Sequence, residues 1–340
     1  MDIPSILGSE STQKQIFSSR HISGCLNTIY PTSSAVKDLA VEQTFLEEML
    51  LVQNALIKPL QKKGAPVQET NAYNVLCVCY NEILSFTCLN VQSLREYTDR
   101  RGSESSIVMI NHADEYIHTY KNYLNAVCDV IALSGFIHIA HLVDVPQKMF
   151  SVFHEHSKKN KKSQEAVVSC ALLHPLKRLK SYKSTIQSLI HCNDKKQQSL
   201  EDKESAERQL QDALVKWDQL WDEQKQKRNE ADTTRHFWEG SGRIVELLRS
   251  PERRLIRESR SHSLSVVNSG RFSSHWFVLF TDVFVHVSGG TQNVHPLTTV
   301  WVDVIQDTDT VQVCSSYLFI CGLVNSAVSL RLCSINSSDD

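Results

Sequence analysis

The chain has 340 residues, 41% of them apolar and 22% charged, with a formal net charge of −2. That length allows two domains of about 100–200 residues, and a charge so near zero argues against nucleic-acid binding through a basic surface. No run reaches the ~18 apolar residues of a membrane-spanning helix, and Met1 to Gly24 lacks the charged start and apolar core of a secretory leader.

Residues 1–33 are rich in Ser, Thr and Gln and read as a mobile tail. From Ser34 apolar residues recur at steps of three and four, which predicts a helix to about Pro59, followed by the loop KKGAPVQET. Asn71 to Arg101 predicts a second helix whose wide apolar face includes Tyr73, Leu76, Tyr80, Ile83 and Leu84. From Ile107 the segment MINHADEYIHTYKNYLNAVCDVIAL is again helical, and Tyr116, Tyr120 and Tyr123 share one face. They predict core packing with their hydroxyls at the rim. His138 and His141 are spaced for a helical metal pair, but no third ligand stands at convincing spacing, so core or rim histidines are expected. The ten cysteines include no CxxC pair, and Cys77 and Cys79 are too close for a zinc knuckle. Buried, reduced thiols of a cytoplasmic protein are the expectation.

Ser157 to Gln164 is a basic loop leading into QEAVVSCALLHPLKRLKSYKSTIQSLIH, residues 164–191. In that run Leu172, Leu176, Leu179, Tyr182, Ile186 and Leu189 form an apolar stripe, with Lys177, Arg178, Lys180 and Ser181 opposite. Pro175 should kink this helix or mark its first turn. After a polar stretch, Leu210, Ala213, Leu214, Trp217, Leu220 and Trp221 predict a long helix, with a separate one from Thr233 to Leu248. From Arg254 the pattern turns to strands: two apolar runs around Thr281–Asp282, a Gly289–Gly290 turn, and a fourth strand region NVHPLTTVWVDVI. The last 30 or so residues are apolar and strand-like with no final amphipathic helix, and predict an exposed apolar edge.

Three strings carry a resemblance. HPLKRLKSYKSTI, with Pro175, Leu176, Arg178 and Tyr182, resembles the most recognisable helix of the Dbl-homology domain, the exchange domain of Rho-family guanine nucleotide exchange factors. Ser181 stands where that family usually has Lys or Arg. AVEQTFLEEMLLVQNALIKPL resembles its first helix, with Glu42, Phe45 and Lys58-Pro59-Leu60 in the motif positions, and NEILSF resembles its second conserved region. ERRLIRESR and HWFVLFTD resemble the start of the pleckstrin-homology domain that follows, and HPLTTVWVD and LFTDVFVH are most similar to alsin-like members.

The resemblance implies a multi-domain α and β protein: an elongated all-α helical bundle, then a small β-sandwich lacking its C-terminal helix. The expected divisions are a tail at 1–33, the exchange domain at 34–231, a helical linker at 232–250 and the second domain at 251–338. It implies exchange activity on a Rho-family, Rac-like small GTPase without covalent chemistry, cofactor or metal. Expected GTPase contacts are Glu42, Phe45, Lys177, Arg178 and Ser181, with Asp218, Asp222 and Lys225 on the long helix. Arg257, Arg260 and Arg271 offer weak phosphoinositide binding. The competing reading is a non-catalytic scaffold or homo-oligomerisation module. Either would act in the cytoplasm, recruited to endosomal or plasma membranes.

Overall fold

The computed structural model describes residues 33–63, 67–99, 101, 103–153, 163–193, 200–241, 247–258, 264–266, 275–288, 291–305, 318–324 and 326–334. The expected tail, the loop at 154–162, Arg260 and Arg271 lie outside the described residues, apart from Ser33.

The chain begins as helix α1 (Ser33–Val52), passes through a π-helical turn (Gln53–Ile57), and continues as α2 (Lys58–Lys63). The wide turn has a physical cause. Pro59 has no N–H and its ring would clash with a regular helix. The Lys58 N–H bonds back to the Gln53 carbonyl, a five-residue step that loosens the coil just ahead of the proline. Then follow α3 (Val67–Thr98), α4 (Val108–Asn111), α5 (Ala113–Ala132), α6 (Gly135–Leu142), α7 (Gln147–Val152), α8 (Gln164–Leu172), α9 (His174–Asn193) and α10 (Leu200–Gly240). Helix α5 is central, packed against α3 and α10, and α9 packs against α10.

Local signals account for several boundaries. Ser163 caps α8, its hydroxyl accepting from the Ala166 N–H at 3.2 Å. Pro175 falls in the first turn of α9, so the focal run is two helices broken at Leu173 rather than one kinked helix. Ser134 sits in the left-handed region at φ 59°, unusual for a non-glycine residue. Gly135 follows because a Cβ there would meet Val130 Cγ1 at 2.7 Å and the Val130 carbonyl at 3.0 Å.

Two expectations about helices are corrected. No separate helix starts at Thr233, because α10 runs unbroken for 41 residues to Gly240. Ala231 and Thr234 are buried there, and the Thr234 hydroxyl bonds the Glu230 carbonyl instead of capping a new helix. The Asn71–Thr98 stretch of α3 is, by length and composition, apolar enough to cross a membrane. One face of it is core instead: Leu76, Tyr80 and Ile83 are fully buried, while Val75, Val78 and Leu89 remain exposed.

The strands form two antiparallel four-stranded sheets. The first has the order β1 (Leu255–Glu258), β3 (His275–Phe280), β4 (Val283–Ser288), β5 (Thr291–Pro296). The second has the order β2 (Leu264–Val266), β7 (Leu318–Val324), β8 (Ser326–Ser334), β6 (Val300–Ile305). The β3–β4 hairpin turns at Thr281–Asp282 as the sequence suggests, pairing Leu279 with Phe284. NVHPLTTVWVDVI is not one strand. Pro296 ends β5, a 3₁₀ turn (Leu297–Thr299) makes the corner, and β6 joins the other sheet. The tail strands are not an open edge either, since β7 and β8 are the two inner strands of their sheet.

The first sheet is closed on one face by the end of α10. Phe237 and Trp238 are each 7% exposed and join Val278, Phe280, Val283, Val285 and Val287 in one apolar cluster. Trp238 stacks on Phe280 at 5.1 Å. The junction is tied by polar contacts as well: Arg254 pairs with Asp129 of α5, and the Leu255 N–H donates to the buried Thr234 hydroxyl at 2.9 Å.

Candidate functional site

Helix α9 is amphipathic as its spacing requires. Leu176, Leu179, Tyr182 and Ile186 are fully buried, each worth about 1.5–3 kcal/mol against exposure before the entropy of ordering is counted. Arg178 was expected on the polar side with Lys177, but it is only 8% exposed. Its partner explains the burial. Arg178 Nε and Nη2 donate to Glu42 Oε2 of α1 at 3.0 and 2.6 Å. The guanidinium also lies 5.6 Å from the Phe45 ring centroid and 5.3 Å from that of Tyr182.

Glu42 is 1% exposed, so it does not face a partner protein. Its other oxygen, Oε1, accepts from Asn90 Nδ2 of α3 and from the Tyr182 hydroxyl, both at 2.9 Å. Phe45, 2% exposed, is likewise core. The placement of Glu42, Phe45 and Arg178 at the GTPase surface is therefore corrected. An ionised carboxylate can be buried only with its charge and lone pairs satisfied, and here four donors satisfy it.

The network extends inward. With the Tyr182 proton given to Glu42, the Tyr116 hydroxyl must donate to Tyr182, 3.0 Å away. The Thr87 hydroxyl, 3.1 Å from Tyr116, then donates there, sharing its proton with the Ile83 carbonyl at 2.9 Å. Trp217 of α10 closes the cluster, packed edge-on to Tyr116 and Tyr120 with its Nε1 donating to the Met109 carbonyl. The tyrosine hydroxyls are thus inside, not at the rim. Burial, then the Glu42 charge, pushes the Tyr116 and Tyr182 phenols up, so both stay neutral donors. Burial alone would pull Arg178 down, but the Glu42 carboxylate overrides it and holds the guanidinium above its ordinary value.

This cluster fixes α1 against α3 and α9, and outside it lies a surface. Lys177 is exposed and Ser181 half-exposed on α9. Lys183 of α9 pairs with Asp218 of α10 at 2.8 Å, which ties the two helices. Asp222 and Lys225 are exposed and pair with each other at 3.0 Å. Sequence reasoning missed Asn90, Thr87 and Lys183, whose partners lie on other helices. It also missed Asp38, which shares the stripe of Glu42 at helical spacing and accepts from Thr185 at 3.3 Å. Burial pushes the Asp38 carboxyl up despite Thr185 and Arg178. Next to this surface is a cleft of about 510 Å³, with Ile131, Phe136 and Leu173 on one wall and Arg228, Asn229 and Arg235 on another. On the second domain Arg257 is exposed.

Known proteins match two successive parts of the chain. A family model described as "Alsin PH-like domain" matches residues 238–328, and one described as "ALS2, DBL homology domain (DH-domain)" matches residues 40–238. Mouse alsin is 29% identical over 277 residues, covering 79% of this chain and 16% of alsin. Human alsin is 29% identical over 206 residues, 59% of this chain and 12% of alsin. The Drosophila melanogaster alsin homolog is 22% identical over 75% of this chain and 16% of its own length. The chain therefore spans less than a fifth of these relatives. Among solved structures, the linker-DH/PH domains of p115-RhoGEF align at 10% identity with a TM-score of 0.48, covering 89% of this chain and 91% of that one. The DH/PH fragment of PDZRHOGEF in complex with human RhoA aligns at 14% identity with a TM-score of 0.42, covering 90% and 89%. With the first domain's model matching residues 40–238, more than half of the chain, the chain belongs to the alsin Dbl-homology family, its DH domain followed by an alsin-type PH-like domain.

Proposed function

We propose that this chain is a guanine nucleotide exchange factor for a Rho-family, Rac-like small GTPase. The observation that carries the reading is the outward face of α9 in a DH-family chain. Lys177, Ser181 and Ser184 look outward there, while the buried Glu42–Arg178 pair locks the helix to α1 and Lys183–Asp218 joins it to α10. An exchange factor needs no covalent chemistry. It binds the nucleotide-free GTPase more tightly than the loaded one, and only that difference in affinity speeds release. A rigid face suits the task, because it makes the GTPase deform rather than itself. Kinship with alsin supports a cytoplasmic role in endosome trafficking and actin signalling, with Arg257 giving a weak phosphoinositide contact.

Ser181 favours a second reading. It puts a hydroxyl where the family usually has a cation, removing a charge-assisted contact worth about 1.5–3 kcal/mol when buried. A non-catalytic scaffold that keeps the architecture would tolerate that loss. Release of fluorescent GDP from Rac, RhoA and other Rho-family members separates the two. The exchange reading requires acceleration for at least one GTPase, abolished by Ser181→Glu combined with Asp222→Arg. No acceleration by a folded chain rejects it.

A further inference from the structure

The segment that joins the two domains carries a string found once in the chain. Of the eight prolines, only Pro251 follows a serine or threonine, in Arg249-Ser250-Pro251-Glu252-Arg253-Arg254. Proline fixes its own φ and biases the residue before it toward extended backbone. The string makes a tight turn, closed by the Arg253 N–H on the Ser250 carbonyl at 3.2 Å. A serine at such a turn commonly bonds its hydroxyl to nearby backbone. The Ser250 hydroxyl is half-exposed and bonds nothing among the described residues. Three arginines surround it. Arg253 Nη1 donates to the Leu248 carbonyl and Arg254 Nη1 to the Pro251 carbonyl, so the two guanidinia fold back on either side of Ser250. Arg249 places Nη2 on the Leu133 carbonyl of the first domain at 2.9 Å, and its buried Nε has no partner among the described residues. These arginines also hold the segment to both domains. Arg254 pairs through one bond with Asp129 of α5, and Arg253 takes both oxygens of Asp282 in the β3–β4 turn at 2.7 and 2.6 Å. With Glu252, three cations here face three carboxylates.

We propose that Ser250 is the phosphorylation site of a proline-directed protein kinase, one that reads Ser-Pro with a cation three residues on, and that the phosphate draws Arg254 off Asp129 and loosens the junction. Ser250, Pro251 and Arg253 supply the three elements such a kinase reads. The step is phosphoryl transfer from ATP. A bond forms between Ser250 Oγ and the γ-phosphorus, the bond from that phosphorus to the β-phosphate oxygen breaks, the hydroxyl proton passes to the carboxylate base of the kinase, and ADP leaves. A kinase takes its substrate extended. Here that means opening one backbone hydrogen bond and freeing Arg253 from Asp282, whose side chain is 51% exposed, a local opening of a surface segment. The product adds about two negative charges and three acceptor oxygens, next to the unused Arg249 Nε. Three arginines cannot then satisfy three carboxylates and a phosphate. The two-bonded Arg253–Asp282 pair is the stronger holder, so the single-bonded Arg254–Asp129 pair gives way first. Asp129, 19% exposed, is left without its cation and must regain water, which parts the linker from α5.

The test treats the full chain with a cyclin-dependent kinase and ATP and locates phosphate by mass spectrometry, for wild type, Ser250→Ala and Pro251→Ala. Circular dichroism checks the fold of each. One phosphate per wild-type chain is expected, on Ser250, and none on either variant. Amide exchange is then compared with and without the phosphate. The Leu255 N–H, bonded to the Thr234 hydroxyl, and the Leu133 and Ser134 N–H groups that end α5 should exchange about tenfold faster in the phosphorylated chain, while the amides of α9 keep their rates. Arg254→Gln cuts the same pair without phosphate and should speed the same amides. If Ser250 stays unmodified in the folded chain while the kinase modifies a standard substrate, the proposal is overturned. It is equally overturned if the phosphate enters and these amides exchange as before. Neither result bears on the exchange reading.

Discussion

Breaking the buried pair from either side should cost several times what a surface ion pair is worth. In Arg178→Ala the Glu42 carboxylate, 1% exposed, keeps only Asn90 and Tyr182 as donors. In Glu42→Gln the Arg178 charge is left without an anion, and the amide can accept on only one of the two sides where the carboxylate accepted. Either single change leaves one uncompensated buried group, at a cost of about 3–5 kcal/mol. An exposed pair would cost about 0–1 kcal/mol. The double variant Glu42→Leu with Arg178→Met removes both charges and keeps apolar volume, so it should be more stable than either single variant. The assay is urea unfolding at pH 7, followed by far-UV circular dichroism, which reports the helices that the pair holds together. Two results refute the reasoning. One is single-variant losses below about 1 kcal/mol, and the other is losses that simply add in the double variant. If Glu42 reached a GTPase instead, its loss would abolish exchange at unchanged stability.

Asp38 has a folded-state pKa raised mainly by burial. Its contribution to stability is then present below its unfolded pKa and is lost as pH rises through the folded one. Asp38→Asn should stabilise the chain at pH 7 and lose that advantage in acid, and unchanged pH dependence of urea midpoints would count against this. Burial pushes the Cys77 thiol up to about 12 and those of Cys79, Cys88 and Cys128 to about 11. An aromatic disulfide reagent at pH 8 should spare these four until urea is added, so fast native labelling of Cys77, found by mass spectrometry, would contradict the packing. Trp238→Ala empties the apolar cluster on the first sheet and should cost about 3–5 kcal/mol, read as faster amide exchange in β3 and β4. By the same logic residues 251–340 alone should fail to fold, while residues 232–340 fold. A folded 251–340 fragment would show that the α10 aromatics are dispensable.

Much of the helical domain was legible because its signals are local. The stripe of Leu176, Leu179, Tyr182, Ile186 and Leu189 needs only a helical period, and all five are buried. Pro175 and the Thr281–Asp282 hairpin announce themselves by their own backbone chemistry. Where α10 ends was harder, because Thr233 looks like a start signal and only the burial of Ala231 and Thr234 carries the helix on.

The site divides in the same way. Sequence placed Glu42 and Arg178 on helices and near the right motif, but not the direction each faces, because helical spacing assigns a charged residue to solvent by default. Their pairing joins positions 136 residues apart, and Asn90 and Tyr182 complete it from two helices. Whether a charge is buried depends on partners that only packing brings together, since a carboxylate leaves water only when donors replace it. Lys37 and Val41 of α1 are exposed for the same reason: once the tertiary contacts drew Glu42 in, the rest of the α1 face followed from 3.6 residues per turn.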